Sequence, residues 1–258
     1  MIPKIIHYCW FGYSKKPKLV KDCIASWKII LPDFEIIEWN EKNCDLSHHF
    51  VNQAYKEKKW AFVSDYVRLK KIFEIGGIYL DTDMLILKSL NNFLDEKCFF
   101  GAEDISNISA GIIGAVKNND FILKCINEYD LFCQDELSFS EITIPTILTK
   151  VFRSENEYYS GLENIVLKND VKIYPADYFY PLSYENRKDN VHYLKHLKSN
   201  SVAVHLWSAS WIEYSEFHYF RNKQYFLGLK KMIKVIFKER KISLSYLRKI
   251  GSCIKQSL

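Results

Sequence analysis

The feature that most constrains this chain is a helical run that stops at two glycines, passes into a short apolar strand and ends on two aspartates. It occupies residues 60–83, WAFVSDYVRLKKIFEIGGIYLDTD. Phe62, Tyr66, Leu69 and Phe73 recur at helical spacing and form one apolar stripe. Ala61, Asp65, Arg68 and Ile72 form the neighbouring stripe, which sets a carboxylate beside a guanidinium. Gly76 and Gly77 stop the helix as glycine does at a C-terminal cap. Ile78-Tyr79-Leu80 then reads as a strand that runs into Asp81-Thr82-Asp83.

Two aspartates at i and i+2 project to the same side of an extended chain. At the C-terminal end of a strand they face the crevice where open α/β sheets bind ligands. Carboxylate oxygens suit Mg²⁺ or Mn²⁺, and those ions suit a diphosphate. Each feature alone has a plainer reading. A lone D-x-D commonly just ends a strand, and Asp65 with Arg68 can be a surface pair worth a few tenths of a kcal/mol. Their combination at this spacing points instead to a ligand site.

The surrounding pattern alternates strand and helix. Residues 4–9 (KIIHYC) read as the first strand, with His7 a satisfied core histidine, and Trp10-Phe11-Gly12 follow at its end. An aromatic there can stack on a nucleobase or pack in the core, and Gly12 lets a backbone approach closely. Residues 17–31 read as a helix, 34–39 as a second strand ending at a turn-forming Asn40, and 61–75 as the helix described above. This order predicts an α/β fold with a mostly parallel sheet and helices on both faces. Further strands are expected at 84–87, 98–103, 109–115, 165–167, 171–174 and 201–206, and helices at 119–133 and 140–152. Pro145 predicts that the last of these helices starts near it. The stretch 156–200 is otherwise irregular and reads either as a solvated loop or as the acceptor side of a cleft.

The motif A-x-x-S-D-x-x-R followed by G-G-x-Y-x-D-x-D resembles that of the DXD-containing sugar transferases of glycosyltransferase family 32. These include fungal Golgi mannosyltransferases and bacterial capsule and lipopolysaccharide enzymes, and the same pattern occurs in large glucosylating toxins. Ala61, Ser64, Asp65, Arg68, Gly76, Gly77, Tyr79, Asp81 and Asp83 carry the resemblance. It extends to I-P-K-x-I-H-x-x-W-x-G at the start and to H-x-W-x-x-S-W at 205–211.

The resemblance implies a GT-A (Rossmann-like) fold, a nucleotide-sugar donor, most simply a UDP-sugar, and retention of anomeric configuration. It implies Asp81, Asp83, Arg68 and Asp65 as catalytic, with Mn²⁺ or Mg²⁺ on Asp81, Asp83 and His205. It implies Trp10 and Phe11 at the base, and Ser64, Asp65, Arg68, Tyr79, Asp81 and Asn107 along the donor. Ser208, Ser210 and Trp211 would serve the β-phosphate, and one of the serines is an alternative to His205 as ligand. Asp104 is a second candidate beside Asn107 for a hexose. Where the family strand often has asparagine, this chain has Ala110.

The 258 residues, 48% hydrophobic, bound one large domain or one domain with appendages. Seven scattered cysteines without a C-x-x-C pair argue against a zinc site or disulfide framework and for a reducing cytoplasm. MIPKIIHYCW is too short and too quickly polar for a signal peptide, and no apolar run approaches the ~20 residues of a membrane span.

The net charge of +5 conceals an asymmetry: 219–258 carries eleven Lys/Arg and one acid, or +10, leaving −5 for 1–218. The expected division is therefore a catalytic domain at 1–218 and a basic, amphipathic helical tail at 219–258. Phe226, Leu229, Ile233 and Ile236 recur at helical spacing there, with Lys230, Lys231, Lys234 and Lys238 elsewhere on the wheel. Such a helix can lie on an anionic membrane surface or pack on the domain; the acidic body and missing motifs speak against nucleic acid. The resulting expectation is a peripheral enzyme at the cytoplasmic face of the cell membrane, acting on a glycan or lipid-linked glycan. The competing readings are a toxin-like protein glycosyltransferase and a non-catalytic glycan-binding module.

Overall fold

The computed structural model describes residues 1–131, 139, 143–208, 216–221, 223–239 and 243–257. They fall into two compact units, Met1–Ser208 and Ala209–Leu258.

The first unit is built on a seven-stranded sheet. In chain order its strands are β1 (Ile5–Cys9), β2 (Glu35–Trp39), β3 (Gly77–Leu80), β5 (Cys98–Ala102), β6 (Ile108–Ala115), β7 (Val166–Lys168) and β8 (Val171–Tyr174). Across the sheet they are ordered β2-β1-β3-β6-β5-β8-β7. β2, β1, β3, β5 and β8 run one way; β6 and β7 run against them. The mostly parallel α/β sheet expected from the strand–helix alternation is thus present, with two reversed strands.

Helices cover both faces. Alternate residues of each strand feed two cores, as the period of a strand requires. Tyr79, Phe100 and Ile113 join one cluster with α3 (Trp60–Ile75), α4 (Asp120–Leu131) and α5 (Ile144–Asn156). Ile78, Leu80, Phe99 and Ile112 join the other with Trp27 of α1 (Lys18–Ile30) and Phe179 of α6 (Ala176–Phe179). α5 begins with Pro145 in its first turn, as the proline predicted. The periodicity missed α2, His49–Lys56, and α6, both too short for their pattern to stand out. Cys133, at the expected end of α4, lies outside the described residues.

The double glycine does more than end α3. Gly76 and Gly77 take φ of +76° and +114°, and a Cβ on Gly77 would lie 2.7 Å from Nε2 of His7. His7 is fully buried, as its place in the strand suggested. Its Nε2 bonds the Gly76 carbonyl at 2.8 Å, and Trp39 donates its indole N–H to Nδ1 at 3.0 Å. An indole N–H can only donate, so Nδ1 is unprotonated and Nε2 carries the proton.

A second, two-stranded ribbon stands apart from the main sheet: β4 (Met84–Ile86) pairs antiparallel with β9 (Ala203–His205). Trp27 anchors it by donating to the Met84 carbonyl at 2.8 Å.

In the second unit α7 (Glu216–Arg221), α8 (Tyr225–Glu239) and α9 (Leu244–Ser257) enclose a small cluster of Phe220, Ile250 and Cys253. Among the described residues no helix is long and apolar enough to cross a membrane.

Candidate functional site

β3 ends at Leu80, and the next residue begins the site. The Asp81 backbone N–H donates to the Gly111 carbonyl of β6 at 2.8 Å, which fixes where the chain leaves the sheet. Three residues on, β4 starts. Its pairing sets Met84 opposite His205, and Leu206 N–H donates to the Asp83 carbonyl at 2.9 Å. The ribbon therefore delivers His205 to Asp83 from 122 positions further along the chain.

Both oxygens of Asp83 are engaged: His205 Nε2 lies 2.9 Å from Oδ1, and the Ser208 backbone N–H donates to Oδ2 at 2.7 Å. Burial works to raise the Asp83 carboxyl, but the His205 charge and these hydrogen bonds outweigh it and hold it at about 2. Burial lowers His205 in turn, and the facing Asp83 more than reverses that, so the imidazole is raised above its usual value.

Asp81 is held from the other side. Arg68 reaches its Oδ1 at 3.2 Å, and the Tyr79 hydroxyl donates to the same oxygen at 3.1 Å. Arg68 is buried and spends its donors inside the protein. It bonds Asp65 at 3.0 Å, the Ala110 carbonyl at 2.8 Å and the Ser64 carbonyl at 3.3 Å, and its guanidinium stacks on Tyr79. Burial opposes the guanidinium charge, and Asp81, Tyr79 and Asp65 together outweigh it. Burial pushes the Asp65 carboxyl up to about 7, with Arg68 pulling it down. The pair at 65 and 68 is therefore a buried ionic contact that positions Asp81, and the surface-pair reading does not apply.

One ligand atom each from Asp81, Asp83 and His205 lie within 4.8 Å of one another. Two carboxylates and an imidazole are a donor set for Mn²⁺ or Mg²⁺. His205 Nδ1 is buried without a hydrogen-bond partner among the described residues, which is unusual for a polar atom and fits a site that takes up a charged group. These residues fit the ion that the resemblance implies.

The other expected residues are placed as follows. Trp10 is half-buried at the end of β1, its indole N–H donating to the Ser14 carbonyl at 2.7 Å and Lys16 lying over its ring. Phe11 is buried in the core beside α2 and α3. The Ser64 hydroxyl donates back to the Trp60 carbonyl at 3.0 Å. Asn107, in the exposed β5–β6 loop, bonds Asp104 rather than the acidic group. Ser210 and Trp211 lie outside the described residues.

Two residues escaped the sequence reading. Glu103 follows β5, where burial raises its carboxyl and His205 lowers it, so it shares the electrostatics of the site. Tyr180 packs edge-on against His205 and accepts the Ile112 N–H at 3.0 Å through its hydroxyl. Neither sits in a recognisable motif; only the turn of α6 and the end of β5 bring them here.

Residues 17–100 match the family described as glycosyltransferase sugar-binding region containing DXD motif. An uncharacterized glycosyltransferase of Acanthamoeba polyphaga mimivirus is 28% identical over 228 residues, covering 80% of this chain and 86% of that protein. The lactosylceramide 4-alpha-galactosyltransferase of Rattus norvegicus is 26% identical over 151 residues, 57% of this chain. That match spans only 40% of the rat protein. Among solved structures, the PaToxG glycosyltransferase aligns with a TM-score of 0.49 at 19% identity, covering 60% of this chain and 69% of that one. In sequence, then, this chain is similar to glycosyltransferases, and the family match includes both aspartates of the DXD motif.

Proposed function

We propose that this chain is a metal-dependent, retaining glycosyltransferase. It moves a hexose or N-acetylhexosamine from a nucleoside diphosphate sugar, by preference a UDP-sugar, to a hydroxyl of a surface-polysaccharide or lipid-linked oligosaccharide acceptor. The observation that carries the reading is the convergence of Asp81, Asp83 and His205 at the end of β3, within 4.8 Å of one another. A divalent cation bound there offsets the diphosphate charge and stabilises the departing nucleotide.

Each residue has a stated part. Asp83, gripped by His205 and the Ser208 N–H, presents a carboxylate that stays ionised. Arg68, Asp65 and Tyr79 hold Asp81 in one orientation, so their contribution is positioning. Trp10 is the platform for the base. Ser208, with Ser210 and Trp211, donates hydrogen bonds to the β-phosphate that strengthen as it gains charge. Retention follows from front-face attack: the acceptor oxygen bonds to the anomeric carbon as the bond to the β-phosphate oxygen breaks, and that oxygen takes the acceptor's proton.

The name of the rat relative joins an α-linkage to a glycolipid acceptor, which favours the retaining, lipid-linked form of this reading. The basic segment 219–258 favours action at the cytoplasmic face of the membrane.

Thermal unfolding measured across UDP- and GDP-sugars with and without Mn²⁺ tests the reading. UDP-sugar with Mn²⁺ should raise Tm, EDTA should abolish the rise, and donor turnover should track it. Stabilisation by free glycan, indifferent to nucleotide and metal, would establish a glycan-binding module instead.

A further inference from the structure

Two long faces of α8 are apolar. Its inner face belongs to the fold: Gly228 is buried, with the Phe220 ring 3.0 Å from where its Cβ would stand, and Met232, one turn on, packs against the cluster of Phe220, Ile250 and Cys253. On the neighbouring, outward side Phe226, Leu229, Ile233 and Phe237 recur at steps of three and four and share one face. They are 79%, 47%, 45% and 79% exposed. Two phenylalanines and two aliphatic residues in line on one helix are not the scattered apolar exposure normal for a surface.

The charges beside this stripe identify what covers it. Lys230 and Lys234 are exposed and lie along one border of it. Over 219–258 eleven cations stand against one acid. An apolar stripe bordered by lysines matches a bilayer surface that offers both acyl chains and anionic headgroups. A second copy of this chain would bring the same excess of positive charge to the contact and be repelled. A nucleic acid would satisfy the lysines and leave the phenylalanines in water.

We propose that the outer face of α8 is a membrane-docking surface for anionic lipid, with Phe226 and Phe237 entering the interface and Lys230 and Lys234 lying at headgroup level. The surface is independent of the acidic site, so it stands or falls separately from the proposed reaction.

The test is sedimentation of the full chain with vesicles of phosphatidylcholine alone and of phosphatidylcholine mixed with phosphatidylglycerol. The chain should bind the mixed vesicles, bind neutral ones weakly, and be released as salt rises. F226S/F237S should weaken binding by ~10-fold or more. K230Q/K234Q should weaken it by about fivefold per lysine. Far-UV circular dichroism and Tm equal to the parent's show that these two variants are folded, and D83N, at a temperature where its own circular dichroism is the parent's, should bind vesicles as the parent does. The proposal is overturned by no preference for the anionic vesicles, or by F226S/F237S binding as well as the parent. It is equally overturned if that variant turns a dimer into a monomer in analytical ultracentrifugation with vesicle binding unchanged, or if the chain prefers an oligonucleotide to the vesicles.

Discussion

His205 Nε2 meets Asp83 Oδ1 at 2.9 Å, joining residues 122 positions apart at the mouth of the sheet. Both side chains are about one-tenth exposed, so each is the other's main compensation for burial. Asp83→Asn should therefore do two separable things. It should lower Mn²⁺ affinity by ~100-fold or more, read by calorimetry, because an ionised ligand is lost. In EDTA it should also destabilise the fold by about 3 kcal/mol, because a buried imidazolium loses its partner. The pH dependence of the metal-free chain follows from the signs. Asp83 is depressed to about 2, so its contribution is present above the unfolded carboxyl value of ~3.9 and fades as pH falls through about 2. His205 is raised, so its contribution is full below ~6.5 and is lost as pH climbs through its folded value. The stability difference between parent and D83N should be largest between those limits.

His7 supplies the opposite case. Burial lowers its imidazole to about 4, helped by Lys71, with the Gly76 carbonyl working the other way. The unfolded chain binds a proton from about pH 6.5 downwards, and the folded chain does not until about 4. Its contribution is present above 6.5 and is lost as pH falls through that window, by on the order of 3 kcal/mol in all. A chain carrying His7→Gln, less stable at neutral pH, should lose less between pH 6.5 and 4.5 in urea titrations. Equal loss in both chains would mean that His7 is not the group responsible.

Arg68 touches Asp65, Asp81, Ser64, Ala110 and Tyr79 from one planar head. Lysine keeps the charge and loses the fork, so it can hold one carboxylate at a time. Arg68→Lys should reduce kcat/KM for the nucleotide sugar by ~10- to 100-fold and lower Tm by several degrees. Arg68→Ala, which leaves Asp65 and Asp81 without their cation, should be worse on both measures. A variant with unchanged turnover would remove Arg68 from the positioning role.

How far this was legible from sequence depended on the range of the interaction. The helix, double glycine, strand and D-x-D are local, and α3, β3 and the two aspartates stand where the spacing set them. The H-x-W segment was tied to them only through its resemblance to a family motif, yet β9 does bring His205 to Asp83. What stayed hidden was decided by contacts between distant segments. Nothing in the residues around 65 and 68 says that their ion pair is buried, because burial is imposed by α5 and β6 lying over it. Phe11 reads like Trp10 in an aromatic pair after a strand, but one packs in the core while the other is half-exposed. The reversed direction of β6 and the departure of β4 and β9 into their own ribbon likewise leave no mark in hydrophobic period.

Gly111 gives the most discriminating single substitution. It lies on β6 opposite the acidic group, and a Cβ added there would stand 2.9 Å from the Tyr180 hydroxyl and 3.3 Å from Asp81 Oδ2. Tyr180 is itself fixed, buried against His205 and accepting the Ile112 N–H. Asp81 is the more accessible of the two and is held by Arg68 and Tyr79 rather than by packing. Gly111→Ala should therefore press on the metal and donor group with little effect on the sheet. The expected result is a rise of ~10-fold in the Mn²⁺ concentration needed for half-maximal turnover, with Tm in EDTA within a few degrees of the parent. Tyr180→Phe is the matching control. It relieves the hydroxyl contact but leaves a buried Ile112 N–H without its acceptor, a cost of about 1–3 kcal/mol. The double variant should recover part of the Mn²⁺ response lost in Gly111→Ala while remaining less stable. Failure to recover any of it would mean that the added methyl acts on Asp81 directly and that Tyr180 does not transmit the strain.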